Sequence, residues 1–273
     1  MRINTLKELN HLSEIFESYD TFVIDLWGVV HNGLILNSKA IEAIDQLKSN
    51  SKKIVFLSNA PRPSSKVISF LLKMNMNKKL LSNVMTSGEA AMHAINQNKF
   101  GKTFFHLGPT RDTSVFEKVK HNKTELDKCD FILCTGLFDN HEDDLDYYEN
   151  FLEKHTAKKL VCTNPDLIVH RGSVEELCAG SVAKVFEKLG GEVVYYGKPH
   201  KEVYSMCFSE KEKVLAIGDN LRTDIKGANN LNIDSLFISE GVHRDEYNDN
   251  SELDDLLKKY KVKANFFQNE LKW

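Results

Sequence analysis

Proline is scarce, five residues in 273, and no stretch rich in proline, glycine or serine interrupts the chain. Composition therefore marks no linker at which to divide it into domains. No run approaches the roughly 18 apolar residues of a membrane-spanning helix. Neither sign of charge dominates: 36 Lys and Arg stand against 39 Asp and Glu, a formal net charge of −3. The basic excess or block of a nucleic-acid or membrane-surface protein is thus missing. The opening segment MRINTLKELNHLSEIFESYD lacks the apolar run of a signal peptide and reads as an amphipathic helix. Cysteines number five, an odd count with no CxxC pair, and most lie in apolar runs such as FILCTG and LVCTN. Reduced, packed thiols suit that pattern better than disulfides or a metal site. Together these absences point to a cytoplasmic protein.

What is present suits a globular enzyme. Apolar residues make up 41% and charged residues 27%, enough to bury a core. Short β-branched runs alternate with helix-period stretches. The strand-like runs are 22–28, 53–59, 102–108, 130–136, 158–164, 192–197, 213–219 and 235–239. Among the intervening helices, one starts with Ser38 as N-cap and puts Ile41, Ile44 and Leu47 on one face. A second runs from Ser181 to the Gly190–Gly191 stop, and SELDDLLKKYK closes the chain. This alternation implies a doubly wound, mostly parallel α/β sheet, whose ligands bind beyond the carboxyl ends of its strands.

Four runs deliver polar residues at that edge. The first ends in Asp25 with Gly28 behind it, and the second in Ser58-Asn59, a hydroxyl and backbone amides suited to an anion. The third reaches Lys198, and the fourth ends in Gly218-Asp219-Asn220, with Asp224 one helical turn further on. Each taken alone is ordinary turn chemistry; their order is informative. A carboxylate attacking a phosphoryl dianion needs positive charge, which Lys198 and one Mg²⁺ held by Asp25 and Asp219 would supply. Asp224 would hold waters or orient Lys198. Attack by a carboxylate on phosphorus yields an aspartyl phosphate.

The ordered set Asp25-x-x-Gly28-Val29, Ser58-Asn59, Gly197-Lys198-Pro199 and Gly218-Asp219…Thr223-Asp224 resembles the haloacid dehalogenase superfamily. The long segment before Lys198, with Thr163-Asn164-Pro165-Asp166 late in it, is similar to the NagD-like branch, class IIA. The resemblance implies a Rossmann-like core from residues 1–100 and 193–273, and an inserted α/β cap from 101 to 192. It makes Asp25 the nucleophile, and the Trp27 backbone carbonyl and the Asp219 carboxylate metal ligands. Asp224 becomes the supporting acid at the metal, Ser58 and Asn59 the phosphate loop, and Lys198 the charge on the phosphoryl group. Asn164 and Asp166 match the cap loop that approaches the site; neighbouring His170 and Arg171 take no assigned role.

One position departs from the pattern. Phosphatases of this superfamily carry a second Asp two residues after the nucleophile, which protonates the leaving oxygen; here it is Trp27. An indole has a donor and no usable acceptor, and losing a general acid costs on the order of 10²–10⁴ in rate. His31, Asp224 or a cap residue would have to move the proton, although a loop role suits His31 better. The leading expectation is Mg²⁺-dependent hydrolysis of a small phosphomonoester, a sugar, nucleotide or cofactor phosphate. A catalytically weak ligand-binding or regulatory protein is the alternative, and a dehalogenase ranks below both. The expected partner is a small phosphorylated molecule, with no nucleic acid or membrane; a homo-oligomer stays open.

Overall fold

The computed structural model describes residues 6–273, and in it the alternation of apolar runs and helical stretches becomes two parallel sheets. The described chain starts with β1 (Lys7–Glu8) and crosses the molecule as β2 (Thr21–Ile24). It continues through α1 (Ser38–Ser49), β3 (Lys53–Ser58), α2 (Ser64–Lys73), β4 (Val84–Thr86) and α3 (Ser87–Asn96). The second sheet follows with β5 (Phe104–Leu107), β6 (Phe131–Cys134), α4 (Leu145–Leu152) and β7 (Lys159–Cys162). An antiparallel hairpin, β8 (Ile168–Arg171) with β9 (Val174–Leu177), precedes α5 (Ala179–Lys188) and β10 (Glu192–Tyr195). The chain then returns to the first sheet through α6 (Lys201–Tyr204), β11 (Val214–Gly218), α7 (Lys226–Leu231), β12 (Asp234–Ile238), α8 (Leu253–Tyr260) and β13 (Phe266–Gln268).

The seven-stranded sheet has the order β1-β13-β12-β11-β2-β3-β4, parallel throughout. Every residue of β2 and of β11 is buried, as expected where helices cover both faces. From β2 the chain moves outward to β3 and β4. It comes back on the other flank of β2 through β11, so the winding reverses between these two strands. Crevices at such reversals are where open α/β sheets bind ligands. The second sheet, β10-β7-β6-β5, packs its own core around Cys134, Tyr148, Cys162 and Phe186. Its last strand pairs with β7 as far as Tyr195, three residues past the boundary drawn at 192. All five cysteines are free and buried, and no helix among the described residues is long and apolar enough to cross a membrane.

Four local expectations need correction. The N-terminal segment is not an amphipathic helix: over its described part it forms β1 and two 3₁₀ turns, Leu12–Glu14 and Phe16–Ser18. Its backbone is drawn to the sheet, where Leu9 N–H donates to Phe267 O at 3.0 Å and Leu12 N–H to Lys272 O at 2.9 Å. Residues 1–5 lie outside the described residues. Asn37, not Ser38, caps α1, its side chain accepting from the amides of Lys39 and Ala40. The helix expected from Ser181 starts two residues earlier, at Ala179. Finally, α8 does not close the chain, because β13 follows and inserts between β1 and β12.

Candidate active site

The sheet sets the register of the two principal carboxylates. Ile24 pairs with Ile217, and Asp25 N–H donates to Ile217 O at 2.8 Å. Asp25 and Asp219 therefore leave adjacent strands almost level, each buried. Their approach depends on missing side chains. A Cβ at Gly28, whose φ is +86°, would lie 2.0 Å from Asp219 Oδ2, and one at Gly241 2.1 Å from Asp219 Cβ. Asp219 Oδ2 accepts from Val242 N–H at 2.7 Å. Beyond β11 the chain makes one wide turn, Leu221–Ile225, capped by the Asn220 side chain. That turn brings Asp224 back, its Oδ2 accepting from Asn220 N–H at 3.1 Å.

Lys198 follows the last strand of the second sheet rather than a strand of the first. It is buried, and its Nζ donates to Asp25 Oδ1 and, at 2.7 Å, to Asp224 Oδ1. Asn59 fixes its backbone from β3: Oδ1 accepts from Lys198 N–H at 2.8 Å and Nδ2 donates to Lys198 O at 3.2 Å. Ser58 is buried beside it, its Oγ accepting from Ala60 N–H at 3.2 Å. Asp166 completes the group, with Oδ1 accepting from Asn59 Nδ2 at 3.1 Å and Asn220 Nδ2 at 3.2 Å. Asn164 supports it by accepting from Asp166 N–H at 3.1 Å.

Charge is out of balance here. Four carboxylates, of Asp25, Asp166, Asp219 and Asp224, face the single ammonium of Lys198. Burial pushes Asp25 up to about 8 against the pull of Lys198, with Asp224 and Asp166 adding to the rise. Burial and the Asp25 carboxylate likewise raise Asp219 well above the usual carboxylate range, and burial raises Asp166 to about 6. For Lys198, burial works against the charge, but the carboxylates of Asp224, Asp25 and Asp166 outweigh it and hold the ammonium well above its ordinary value. One oxygen each from Asp25, Asp219 and Asp224 lies within 4.8 Å of the others, all three residues buried. An all-oxygen cluster with surplus negative charge fits a hard divalent cation such as Mg²⁺.

The same frame recurs in known proteins. A family model described as haloacid dehalogenase-like hydrolase matches residues 22–122, and one described as HAD-hydrolase-like matches residues 195–262. A haloacid dehalogenase-like hydrolase from Brucella suis superposes with a TM-score of 0.85 at 28% identity, covering 97% of this chain and 100% of that one. The chain belongs to the haloacid dehalogenase superfamily, NagD-like branch. The Bacillus subtilis 5′-nucleotidase YutF is 24% identical over 249 residues, spanning 85% of this chain and 91% of that protein. The glycerol phosphate phosphatase Rv1692 from Mycobacterium tuberculosis, solved in complex with magnesium, superposes with a TM-score of 0.62 at 21% identity, over 84% of this chain and 70% of that one. In the terms of this superfamily the first sheet is the core and the second is the cap.

The structure brings together Asp25, Ser58, Asn59, Asn164, Asp166, Lys198, Asp219 and Asp224. Trp27 follows Asp25 in the same loop, but its indole reaches the cap, donating to His170 O at 2.8 Å. His31 is buried between Trp27 and Phe70, with ring centroids at 5.0 and 5.5 Å. Burial, with the nearby Arg171 charge, pushes it down to about 4, so it stays neutral and packed. Sequence reasoning missed Asn220, which links the metal loop to Asp166, although it stands inside the GDN signal. It also missed the close fit of Gly241 to Asp219, for which the sequence carries no signal.

Proposed function

We propose that the chain is a phosphoric monoester hydrolase that works through an aspartyl phosphate on Asp25. The observation that carries this is the Asp25 carboxylate, buried at the sheet's winding reversal, bonded to Lys198 and grouped with Asp219 and Asp224. Ser58, Asn59 and Lys198 surround the position of a phosphoryl group. Asp25 attacks phosphorus in line, the bond to the ester oxygen breaks, and that oxygen leaves with the electron pair. Water then attacks the aspartyl phosphate and releases inorganic phosphate, restoring the carboxylate.

Asp25, Asp219 and Asp224, with the Trp27 carbonyl, would hold Mg²⁺. When bound it supplies the positive charge that lets a carboxylate approach a dianion. The Lys198 ammonium adds positive charge of its own and, bonded to Asp25 Oδ1, keeps that carboxylate oriented. Asp166 and Asn164 carry the cap loop to the edge of the phosphate site. The 5′-nucleotidase and the glycerol phosphate phosphatase among the similar proteins support a small phosphomonoester as substrate, and a sugar, nucleotide or cofactor phosphate all fit. A second reading, binding with slow turnover, draws on Trp27, which gives the leaving oxygen no acid. Steady phosphate release from p-nitrophenyl phosphate with Mg²⁺ separates the two readings. Asp25→Asn should fold, abolish that release and form no phosphoryl adduct. Full activity in this variant would remove Asp25 from the reaction.

A further inference from the structure

The Trp27 side chain, half-buried, is contacted by four neighbours. Its indole N–H donates to the backbone carbonyl of His170 at 2.8 Å. The Arg171 guanidinium lies 5.0 Å from the ring centroid and is held there by Glu176, through contacts of 2.7 and 3.2 Å. His31 packs T-shaped with the indole at 5.0 Å between ring centroids, and its own imidazole is fixed by Gly33 N–H, which donates to Nδ1 at 3.0 Å. At Gly33, whose φ is +86°, a Cβ would fall 2.6 Å from indole Cζ2, so the loop carries no side chain where the indole needs room. Trp27, His31 and Gly33 belong to the nucleophile loop of the core, whereas His170 and Arg171 belong to β8 of the cap. Two bonds run alongside, from Gly172 N–H to Asn32 O at 3.1 Å and from Arg244 Nη2 to Gly172 O at 3.5 Å.

We propose that Trp27 is a positioning residue whose indole fastens the β8–β9 hairpin of the cap to the nucleophile loop, and so sets how closely the cap covers a substrate. The side chain that replaces an acid does not point its donor at the reacting oxygen; it spends that donor on the cap. A hydrogen bond and a part-exposed cation–π contact each bias such a closure by a few-fold. The tie is made by the residue two positions from Asp25, so closing the cap and ordering the nucleophile loop become one event.

Trp27→Phe tests this, keeping an aromatic face for Arg171 and removing the donor. Hydrogen exchange of the amides in 168–177 should quicken about three- to tenfold. With p-nitrophenyl phosphate, KM should rise by a similar factor, and by more than the inhibition constant for inorganic phosphate, which offers the cap nothing to hold. Gly33→Ala, which crowds the indole without replacing it, should move both readouts the same way. Arg171→Lys should keep more hairpin protection than Arg171→Met. Thermal melts verify that each variant is folded. Wild-type exchange rates in folded Trp27→Phe and Gly33→Ala would overturn the tie. Equal rises in KM and in the phosphate constant would overturn the positioning role, because the phosphate site itself would then be disturbed. The kinetic readout rests on the phosphatase reading, whereas exchange needs no turnover; failure of that reading shows separately, as a wild type that releases no phosphate.

Discussion

At the scale of single residues, Trp27 sets the chemistry apart. With no acid two positions from Asp25, the leaving oxygen must depart without a proton from that place. Cleavage should therefore depend steeply on leaving-group basicity: an aryl phosphate should turn over much faster than an alkyl phosphate. Trp27→Asp should narrow that gap, by up to about 10²-fold if the new carboxyl reaches the oxygen. KM should rise at the same time, since the bond to His170 goes with the indole. Similar wild-type rates on both substrates, measured as kcat, would mean that a residue other than Trp27 already supplies the proton. The Trp27 departure was plain in the sequence, but its use was not. The indole's partner is a carbonyl 143 residues away, and no local pattern marks a contact of that separation.

At the scale of elements, the strands and the order of their ends were legible, because runs such as FVID and VLAIGD carry period and punctuation together. The weaker elements were not. β4 is three residues long, and β13 takes its place in the sheet from its partners β1 and β12. The β8–β9 hairpin has the sequence IVHR-GS-VEEL, only half-apolar, and lies outside both larger sheets. Lys198 was correctly tied to a strand end, yet that strand belongs to the cap, so the cap helps position the residue that orders Asp25. Glycines at the loop crossings matter equally. Gly241→Ala would drive a methyl into Asp219, and either that variant or Asp219→Asn should weaken Mg²⁺ binding at least tenfold by isothermal titration. Wild-type affinity in both would take Asp219 out of the metal site.

At the scale of the whole molecule, acid should act through buried histidines as well as through the active site. His31, His106 and His243 are all buried, and burial lowers each from an ordinary 6.5 to about 4. The unfolded chain therefore binds these protons first. Stability present above pH 6.5 is lost as pH falls towards 4, by roughly 1–3 kcal/mol per histidine. The histidines thus make melting temperatures decline across that window, while Asp25 and Asp166, raised to about 8 and about 6, take up protons first in the folded chain and oppose that decline from about pH 8 downward. His106→Asn should make the decline shallower, and an unchanged slope would acquit that residue.

The sheet order also bears on how the protein is made. β2 carries Asp25, yet its neighbour β11 is synthesised about 190 residues later, with Ile24 pairing to Ile217. At ribosomal speeds of roughly 5–20 residues per second, that interval lasts about 10–40 s. Throughout it, one flank of β2 has no partner, and the cap, whose sheet comes entirely from residues 104–195, is completed before β11 is made. The nascent chain then holds a finished lid above half a catalytic centre, and Asp25 meets Asp219 only when β11 has emerged. Hydrolytic competence arrives only once β11 has paired with β2, and a ribosome that stalls earlier releases a chain with an open, apolar strand edge and no enzyme.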